Sequence, residues 1–183
     1  MNRIKNALIL IMIQLMVATT FVPAIAGGLY IQEFATPSSG TADAGAEAWA
    51  NDASTAIHNP AGMTLLEGNQ FMAGIGVSST TVEFEASANT PVAGDNGGNA
   101  GGTLPLGSFS YVHSFSKDFK LGISSYAPAA AVVDYGLTWA GRKQCTETSI
   151  LMLKLDTTLA YRVNEWLSIG GGPSFIYSEL ELK

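Results

Sequence analysis

Hydrophobic and polar residues alternate along most of the chain after residue 68, with the period of two that puts successive side chains on opposite faces of a β-strand. The alternation is clearest in the fourth of five such stretches. There Leu151, Leu153, Leu155, Leu159 and Tyr161 share one face, and Lys154, Asp156 and Thr158 share the other. The pattern predicts five strands, at about residues 71–84, 108–115, 119–123, 151–161 and 166–182.

Two irregularities interrupt the predicted strands. The alternation slips by one residue near 79–81, which predicts a β-bulge because an extra residue shifts one strand against its partner. The fifth strand contains Gly170-Gly171-Gly172 followed by Pro173. Proline has no N–H for a sheet ladder, so we expect a bend at this point.

The connections between the predicted strands alternate in length: long at 86–105, short at 116–118, long at 128–146 and short at 163–165. Long outer loops and short periplasmic turns are typical of outer-membrane β-barrels. Tyr126, Tyr161 and Trp166 lie near strand ends and fit the aromatic girdles at the membrane interfaces. A secreted β-sandwich is the alternative, but it has no reason to keep this order of loop lengths.

A barrel needs more strands than this sequence predicts. Bacterial barrels close with at least about eight strands, and lipid cannot pair the backbone groups of an open sheet edge. The chain is therefore expected either to be truncated or to assemble with further copies. A last strand that stops at Lys183 without a turn favours truncation.

Residues 27–67 lack the alternation. They are rich in Ala, Gly, Ser, Thr and Asp, which predicts a small segment of short helices and turns. Asn59 is placed to cap a helix by accepting a backbone N–H, and Pro60 loses no hydrogen bond at the first helical position. We expect a helical turn from 60 to 66.

The first 26 residues have the layout of a secretory signal peptide. Arg3 and Lys5 precede an apolar run from 7 to 22, and the small residues Ala24 and Ala26 precede the expected cleavage before residue 27. The run is shorter than the about 20 residues that a transmembrane helix needs, so cleavage is favoured over a membrane anchor. The mature chain is then exported from the cytoplasm of a bacterium.

The composition is that of a protein solvated partly by lipid. Charged residues make up 13% of the chain and hydrophobic residues 47%, whereas soluble domains have about 25% charged residues. The net charge is −6, and the signal peptide contributes only basic residues, so the mature chain is more acidic still. This argues against nucleic acid as a partner. The single cysteine, Cys145, excludes an intramolecular disulfide and a thiolate zinc cluster.

Several short motifs occur in a characteristic order: Gly28-Leu29-Tyr30, Asn59-Pro60-Ala61-Gly62-Met63, Tyr126-Ala127-Pro128, Trp139-Ala140-Gly141-Arg142 and Leu159-Ala160-Tyr161-Arg162-Val163-Asn164. This order resembles the FadL-like family of outer-membrane transporters (OmpP1/TodX type). The resemblance implies an all-β fold, a monomeric transmembrane antiparallel barrel of 14 strands plugged by a small N-terminal helical hatch. Residues 1–26 are then the signal peptide, 27–67 the hatch and 68–183 the incomplete first part of the barrel.

The resemblance also implies passive uptake of long-chain fatty acids or hydrocarbons without a cofactor. Ligand enters a groove among the outer loops, passes to a pocket in the lumen and leaves when the hatch moves. The implied ligand contacts are Leu29, Tyr30, Phe34 and Trp49 in the hatch, whose signature is Asn59-Pro60-Ala61. Arg142 and Lys143 in the second long loop are candidates to bind a ligand carboxylate.

A kinked third strand with a gap in the barrel wall belongs to the same implied architecture. Pro128 follows the predicted third strand. Because proline lacks an N–H, it either limits pairing at such a gap or simply ends the strand.

Catalytic and metal chemistry have few candidates. His58 and His113 are isolated, and the glycine clusters do not lie between a strand and a helix as a phosphate-binding loop requires. Asp43, Glu47 and Asp52 do not have the spacing of a calcium loop. We therefore expect neither an enzyme nor a metal site. The alternative to uptake is a structural or adhesive outer-membrane β protein without a conduit.

Overall fold

The computed structural model describes residues 35–87, 89 and 93–183. The predicted signal peptide and the hatch residues Leu29, Tyr30 and Phe34 lie outside these ranges. The described residues before 68, which we call the hatch after the prediction for residues 27–67, form a 3₁₀ helix at Pro37–Thr41, the α-helix α1 at Thr55–His58 and a 3₁₀ helix at Pro60–Leu65. No helix in the described part of the chain is long and apolar enough to cross a membrane.

The strands form one antiparallel sheet, with β1 at Gln70–Ser79, β2 at Thr103–Ser114, β3 at Phe119–Asp134, β4 at Glu147–Asn164, β5 at Leu167–Gly171 and β6 at Ser174–Leu182. From β1 to β4, neighbours in the chain are neighbours in the sheet, and β5 and β6 then both pair with β4. The predicted fifth strand is therefore two consecutive pieces along one edge of β4.

The break between β5 and β6 falls where the sequence predicts a bend. A side chain at Gly172 would collide with the carbonyl oxygen of Thr157 on β4. Pro173 has no N–H to donate, but its carbonyl oxygen accepts the N–H of Thr157 at 3.1 Å. β6 consequently continues along β4 in the register that β5 began, and the predicted interruption is confirmed.

The bulge predicted near 79–81 is wrong. Ser79 pairs with Thr103 and Glu83 pairs with Asn99, so equal numbers of residues separate these pairs on both strands. The regular ladder stops because the Asn99 side-chain oxygen accepts the N–H groups of Val82 at 2.9 Å and Gly101 at 3.0 Å. The slip in the alternation thus lies where the Asn99 side chain replaces a backbone acceptor of the ladder, and no extra residue is inserted there.

The two faces of the sheet differ as the alternation predicts. Large apolar side chains are exposed on the outer face, where they form an apolar surface of the kind that faces lipid in membrane strands: Phe71, Ile75, Val77, Phe109, Leu151, Leu153, Leu155 and Leu159. Tyr161 and Trp166 are also exposed, close to the short turns. Tyr126 is only 2% exposed and lies on the inner face, so its prediction as a girdle residue is wrong.

The hatch packs into the inner face near the short turns, where glycines in the wall make room for it. A Cβ added to Gly122 would lie 2.6 Å from the sulfur of Met63. A Cβ added to Gly170 would lie 2.5 Å from the nitrogen of Ala61 and 2.7 Å from the carbonyl carbon of Pro60. Met63 is fully buried in a cluster with Ala53, Ala56, Leu66, Val112 and Ala160.

Asn59 does not make the predicted side-chain cap. Pro60 does take the first position of the 3₁₀ helix, but the N–H of Gly62 bonds to the main-chain oxygen of Asn59 at 2.8 Å. The Asn59 side chain points elsewhere and donates from Nδ2 to the carbonyl oxygen of Glu47 at 2.8 Å. Asn59 therefore links two parts of the hatch.

Two cations of the wall bind the end of the hatch. Lys120 donates from Nζ to the carbonyl oxygen of Leu66 at 3.0 Å and to the Ser114 hydroxyl at 2.6 Å. Arg162 donates to the carbonyl oxygen of Thr64. These bonds satisfy acceptors that the end of a helix leaves without a partner inside the helix.

The glycine contact gives a prediction with an internal control. Gly170→Val would place a side chain against the backbone of Pro60 and Ala61, and overpacking of this kind costs about 1–3 kcal/mol. Gly171→Val would meet no atom within 4 Å, since Gly171 pairs with Leu159 on the outer face. We expect limited proteolysis of the folded barrel to cleave the hatch faster in the first variant only. Equal cleavage rates in both variants would contradict the packing described above.

Candidate functional site

The polarity of the inner face changes between the short turns and the long loops. Close to the short turns this face is polar, with Ser110, Lys120, Ser124, Asp156 and Thr158 buried on the inner face. Towards the long loops it is mainly apolar. The pairings of β3, β4 and β6 place Ala129, Ala131, Ile150, Met152, Ile176 and Leu180 on this face, together with the polar residues Thr148 and Ser178. The hatch contacts Gly122 and Gly170 near the short turns. The apolar part of the inner face lies beyond that contact, on the side of the long loops.

A charged pair marks the boundary between the two regions. The Lys154 ammonium lies 3.3 Å from an Asp156 carboxylate oxygen, and Lys154 also donates to the Tyr126 hydroxyl at 2.9 Å. The other Asp156 oxygen accepts from the Ser174 hydroxyl at 2.5 Å. The Lys154 side chain is 22% exposed, so a cation is accessible from the inner face at the level where the apolar wall begins.

The alternation of residues does not single out this cluster, because it places Lys154 and Asp156 on a polar face and Tyr126 near a strand end, where a girdle residue is expected. The signal that identifies the cluster is register: Tyr126 lies directly opposite Lys154, and Asp156 lies opposite Ser174. The ladder between β3 and β4 runs without a shift from the pair Phe119–Tyr161 to the pair Tyr126–Lys154, and the alternation of residues alone does not give this register.

β2 and β3 separate above this level. Their ladder runs from the pair Ser114 and Lys120 to the pair Ser108 and Tyr126 and then stops. The next bridge between these regions among the described residues joins Gly101 to Val133. Over the intervening stretch, β2 still pairs with β1 and β3 still pairs with β4. The result is an unpaired stretch between β2 and β3, which we call the gap.

Pro128 lies in β3 beside the gap and does not end the strand, which continues to Asp134. Between the pairs Tyr126–Lys154 and Ala129–Met152, β3 has one residue more than β4. This is a β-bulge at Ala127 and Pro128, and proline fits there because a bulge leaves a residue outside the ladder. Pro128 therefore lies within β3 and outside its regular ladder with β4, and its role at a gap in the wall stays a prediction.

The two long loops are joined to each other. Asp95 and Trp139 form a parallel bridge, with the Asp95 N–H bonded to the Thr138 carbonyl oxygen at 3.1 Å and the Ala140 N–H bonded to the Asp95 carbonyl oxygen at 2.9 Å. Trp139 stacks on Tyr135 with 4.3 Å between ring centroids. We call this junction the loop clasp.

Arg142 is part of the loop clasp. Its guanidinium donates to the carbonyl oxygens of Ala93 at 2.7 Å and Trp139 at 3.0 Å, one in each loop. Lys143, the other predicted carboxylate contact, is exposed beside it. Arg142 therefore has a structural role in the loops, and binding of a ligand carboxylate by Arg142 or Lys143 stays a prediction.

The carboxylate of Asp95 has a pKa below its usual value. The main cause is the hydrogen bond from the Thr138 hydroxyl at 2.6 Å, followed by the N–H of Gly97 at 2.9 Å, while the charge of Arg142 adds a smaller effect. Partial desolvation opposes these effects. A lowered pKa means that the ionised form is bound more strongly in the clasp, so the clasp keeps this contribution until the pH falls below the ordinary value of 3.8.

Trp49 is the one predicted hatch contact within the described residues. Its side chain is 62% exposed and rests against Gly45, whose φ is +84°. It lines a small cleft of about 150 Å³ in the hatch together with Pro37, Asp52 and His58, among others. The structure does not bring Trp49 together with Arg142 or Lys143, and contact of Trp49 with a ligand stays a prediction.

Comparison with known proteins connects this architecture to a family. The family described as outer membrane protein transport protein (OMPP1/FadL/TodX) matches residues 15–183. The long-chain fatty acid transport protein of Salmonella typhi is 25% identical over 167 residues, which are 91% of this chain and 38% of that protein. The protein of the same description from Escherichia coli O6:H1 (strain CFT073) is 23% identical over 167 residues, covering 91% of this chain and 37% of that protein.

A solved structure has the same fold. The crystal structure of a Pseudomonas aeruginosa FadL homologue superimposes with a TM-score of 0.68 at 23% identity, over 85% of this chain and 39% of that chain. The present chain thus spans less than half the length of the relatives it matches. With its family match over residues 15–183 and its sheet shared with a FadL homologue, the chain belongs to the FadL/TodX family of Gram-negative outer-membrane β-barrel proteins and comprises part of such a barrel.

Proposed function

We propose that this protein takes up hydrophobic small molecules across the outer membrane by passive passage through the barrel. The observation that carries the proposal is an apolar inner wall beyond a packed hatch, with a gap in the wall beside it. Membership of the family supports the same class of function, as do the two relatives described as long-chain fatty acid transport proteins. A purely structural or adhesive barrel has no need of an apolar interior.

The first step is transfer of the ligand from the outer loops to the apolar inner wall. Transfer of apolar surface out of water is favourable by roughly 25 cal/mol per Å², so the wall around Ile150, Met152 and Leu180 collects such molecules without an energy source. The hatch meanwhile blocks the lumen near the short turns. Water-soluble molecules gain nothing from the apolar wall and are retained outside.

The second step is exit through the gap between β2 and β3. The gap begins at the level of Tyr126 and Lys154, where the inner wall becomes apolar. A molecule held against that wall is adjacent to an opening towards the hydrocarbon region of the membrane. Lateral exit suits a ligand that partitions into lipid, because the ligand never has to enter the aqueous periplasm.

Lys154 gives the proposed site a preference among hydrophobic ligands. Its ammonium is held by Asp156 and Tyr126 at the lower edge of the apolar wall. A ligand with an apolar chain and an anionic headgroup can place the chain on the wall and the headgroup at Lys154. Charge-assisted hydrogen bonds of this kind are roughly twice as strong as neutral ones.

Obstruction of the gap tests the exit route. Gly107 lies on the outer face of β2 beside the gap, and a Cβ there meets only the carbonyl oxygen of Gly74, at 3.8 Å. We expect Gly107→Phe to lower the uptake of radiolabelled oleate by whole cells severalfold at an unchanged level of folded barrel. Ala73→Phe places the same side chain on the same face away from the gap, and it should leave uptake unchanged. Equal uptake in the two variants would contradict lateral exit here.

Removal of the lumen cation tests the headgroup contact. We expect Lys154→Met to weaken oleate binding by about tenfold, the effect of losing one hydrogen bond between charged groups, and to leave binding of hexadecane unchanged. Lys154→Arg should restore oleate binding, which separates loss of charge from misfolding. Lys143→Met removes the exposed loop cation instead. If Lys143→Met weakens oleate binding and Lys154→Met does not, the carboxylate contact lies in the loop.

A further inference from the structure

A cleft of about 550 Å³ lies where the end of the hatch meets the wall, close to the short turns. Three cationic side chains line it, Lys117, Lys120 and Arg162, against one carboxylate among the described residues, Glu67. The cleft therefore has an excess of positive charge, although the whole chain has a net charge of −6. It is distinct from the apolar part of the inner face, which lies towards the long loops.

Lys120 is a buried cation without an anionic partner. It is 2% exposed, and its ammonium donates to two neutral acceptors, the Leu66 carbonyl oxygen at 3.0 Å and the Ser114 hydroxyl at 2.6 Å. It forms no salt bridge within the part of the chain that the structure describes. Buried lysines are almost always paired, because an uncompensated charge is unfavourable away from water. A negative charge is therefore expected at this place.

A second cation of the wall increases this need. Lys120 pairs with Ala160 on β4, and Arg162 lies two residues farther along the same face. Side chains at such diagonal positions are within reach of each other, and like charges on neighbouring strands are unfavourable. Arg162 has a salt bridge with Asp118, but the distance from Nε to the carboxylate is 3.9 Å and both side chains are partly exposed. A pair of this kind contributes little.

Donor groups around the cleft remain without an acceptor among the described residues. Lys120 uses two of its three N–H groups, and the Arg162 guanidinium, which has five, donates one hydrogen bond from its side chain. Lys117 is exposed at the turn. The Ser116 hydroxyl oxygen accepts two backbone N–H groups of the turn at 3.2 and 3.0 Å, so its own proton is free to be donated. Several donors around one cleft suit an oxyanion.

The position of the cleft in the membrane indicates which oxyanion is at hand. Phe115 and Trp166 are exposed near the short turns, and aromatic side chains of membrane proteins lie at the level of the lipid headgroups. Phospholipids carry their phosphate groups at this level, and basic pockets of membrane proteins bind such headgroups. Free phosphate reaches the same level from the aqueous side.

We propose that the cleft is a binding site for a phosphate group. Lys117, Arg162 and Ser116 donate to the phosphate oxygens, and Lys120 supplies a positive charge from the buried wall. Low-dielectric surroundings strengthen the field of such a charge in a cleft. The bound group compensates the neighbouring cations and stabilises the folded barrel where hatch and wall meet. The site lies outside the proposed path of uptake and does not depend on it.

Binding of inorganic phosphate tests the site directly. We expect equilibrium dialysis of the purified barrel against radiolabelled phosphate, in a phosphate-free non-ionic detergent solution, to show one saturable site. Lys117→Gln should weaken binding by about fivefold, because it removes a charged donor. Lys120→Gln should weaken it by about tenfold or more, since the buried charge is lost while a donor to Leu66 remains. Lys143→Gln, which removes an exposed lysine of the outer loops, should leave binding unchanged.

A second measurement distinguishes the source of the phosphate group. The barrel is reconstituted with phosphatidylglycerol and returned to detergent, and native mass spectrometry then counts the lipids that stay bound. A headgroup is the occupant if Lys117→Gln and Lys120→Gln reduce retention severalfold and excess inorganic phosphate displaces the lipid. Free phosphate is the occupant if dialysis shows the site and retention is equal in all variants.

Three results would overturn the inference. The first is that neither inorganic phosphate nor phosphatidylglycerol binds. The second is that both bind equally well to the unsubstituted barrel, Lys117→Gln and Lys120→Gln. The third is that Lys143→Gln weakens binding as much as Lys117→Gln, which would mean a general effect of charge. If Lys120→Gln does not fold, Lys117→Gln decides alone, because Lys117 is exposed on a turn. Failure of the proposed uptake would show in oleate transport and would leave these binding results unaffected.

Discussion

Inside a membrane, every backbone N–H and C=O must be paired within the protein, because the hydrocarbon offers no partner. The long ladder of β3, β4 and β6 meets this requirement, and it continues past Pro173 and Pro128 by local adjustments instead of stopping. At the gap, β2 and β3 lose the ladder between them, and each strand stays in the sheet through its other neighbour. The opening in the wall therefore depends on ladders that hold on both sides of it.

The same constraint shapes the interior. Strands whose outer face contacts lipid can pack against the hatch on their inner face only where the inner side chains are small or absent. Gly122 and Gly170 provide this space, and Met63 and the backbone of Pro60 and Ala61 occupy it. Where the wall has hydroxyl groups instead of glycine, Ser110 and Ser124 are buried without a hydrogen-bond partner among the residues that the structure describes. Close packing at the glycines and buried hydroxyl groups without hydrogen bonds thus occur in the same small interface.

Local sequence patterns predict much of the fold. Alternation gives the strands and their lipid-facing side, and loop lengths give the short-turn end where the hatch packs. The features that alternation misses depend on partners far away in sequence: Lys120 bonds a carbonyl group 54 residues distant, and Arg162 bonds one 98 residues distant. The inward position of Tyr126 and the absence of a bulge near residue 80 also depend on which strand lies alongside. A single sequence does not fix register.

The loop clasp has a consequence for how the exposed surface can change. Loops of barrel proteins usually tolerate insertions, since they lie outside the packed structure. Here Asp95 pairs with Trp139, and the Arg142 guanidinium binds carbonyl groups of both loops. An insertion in either loop that moves these residues disturbs the other loop as well. A sequence change in one loop is therefore expected to require a compensating change in the other.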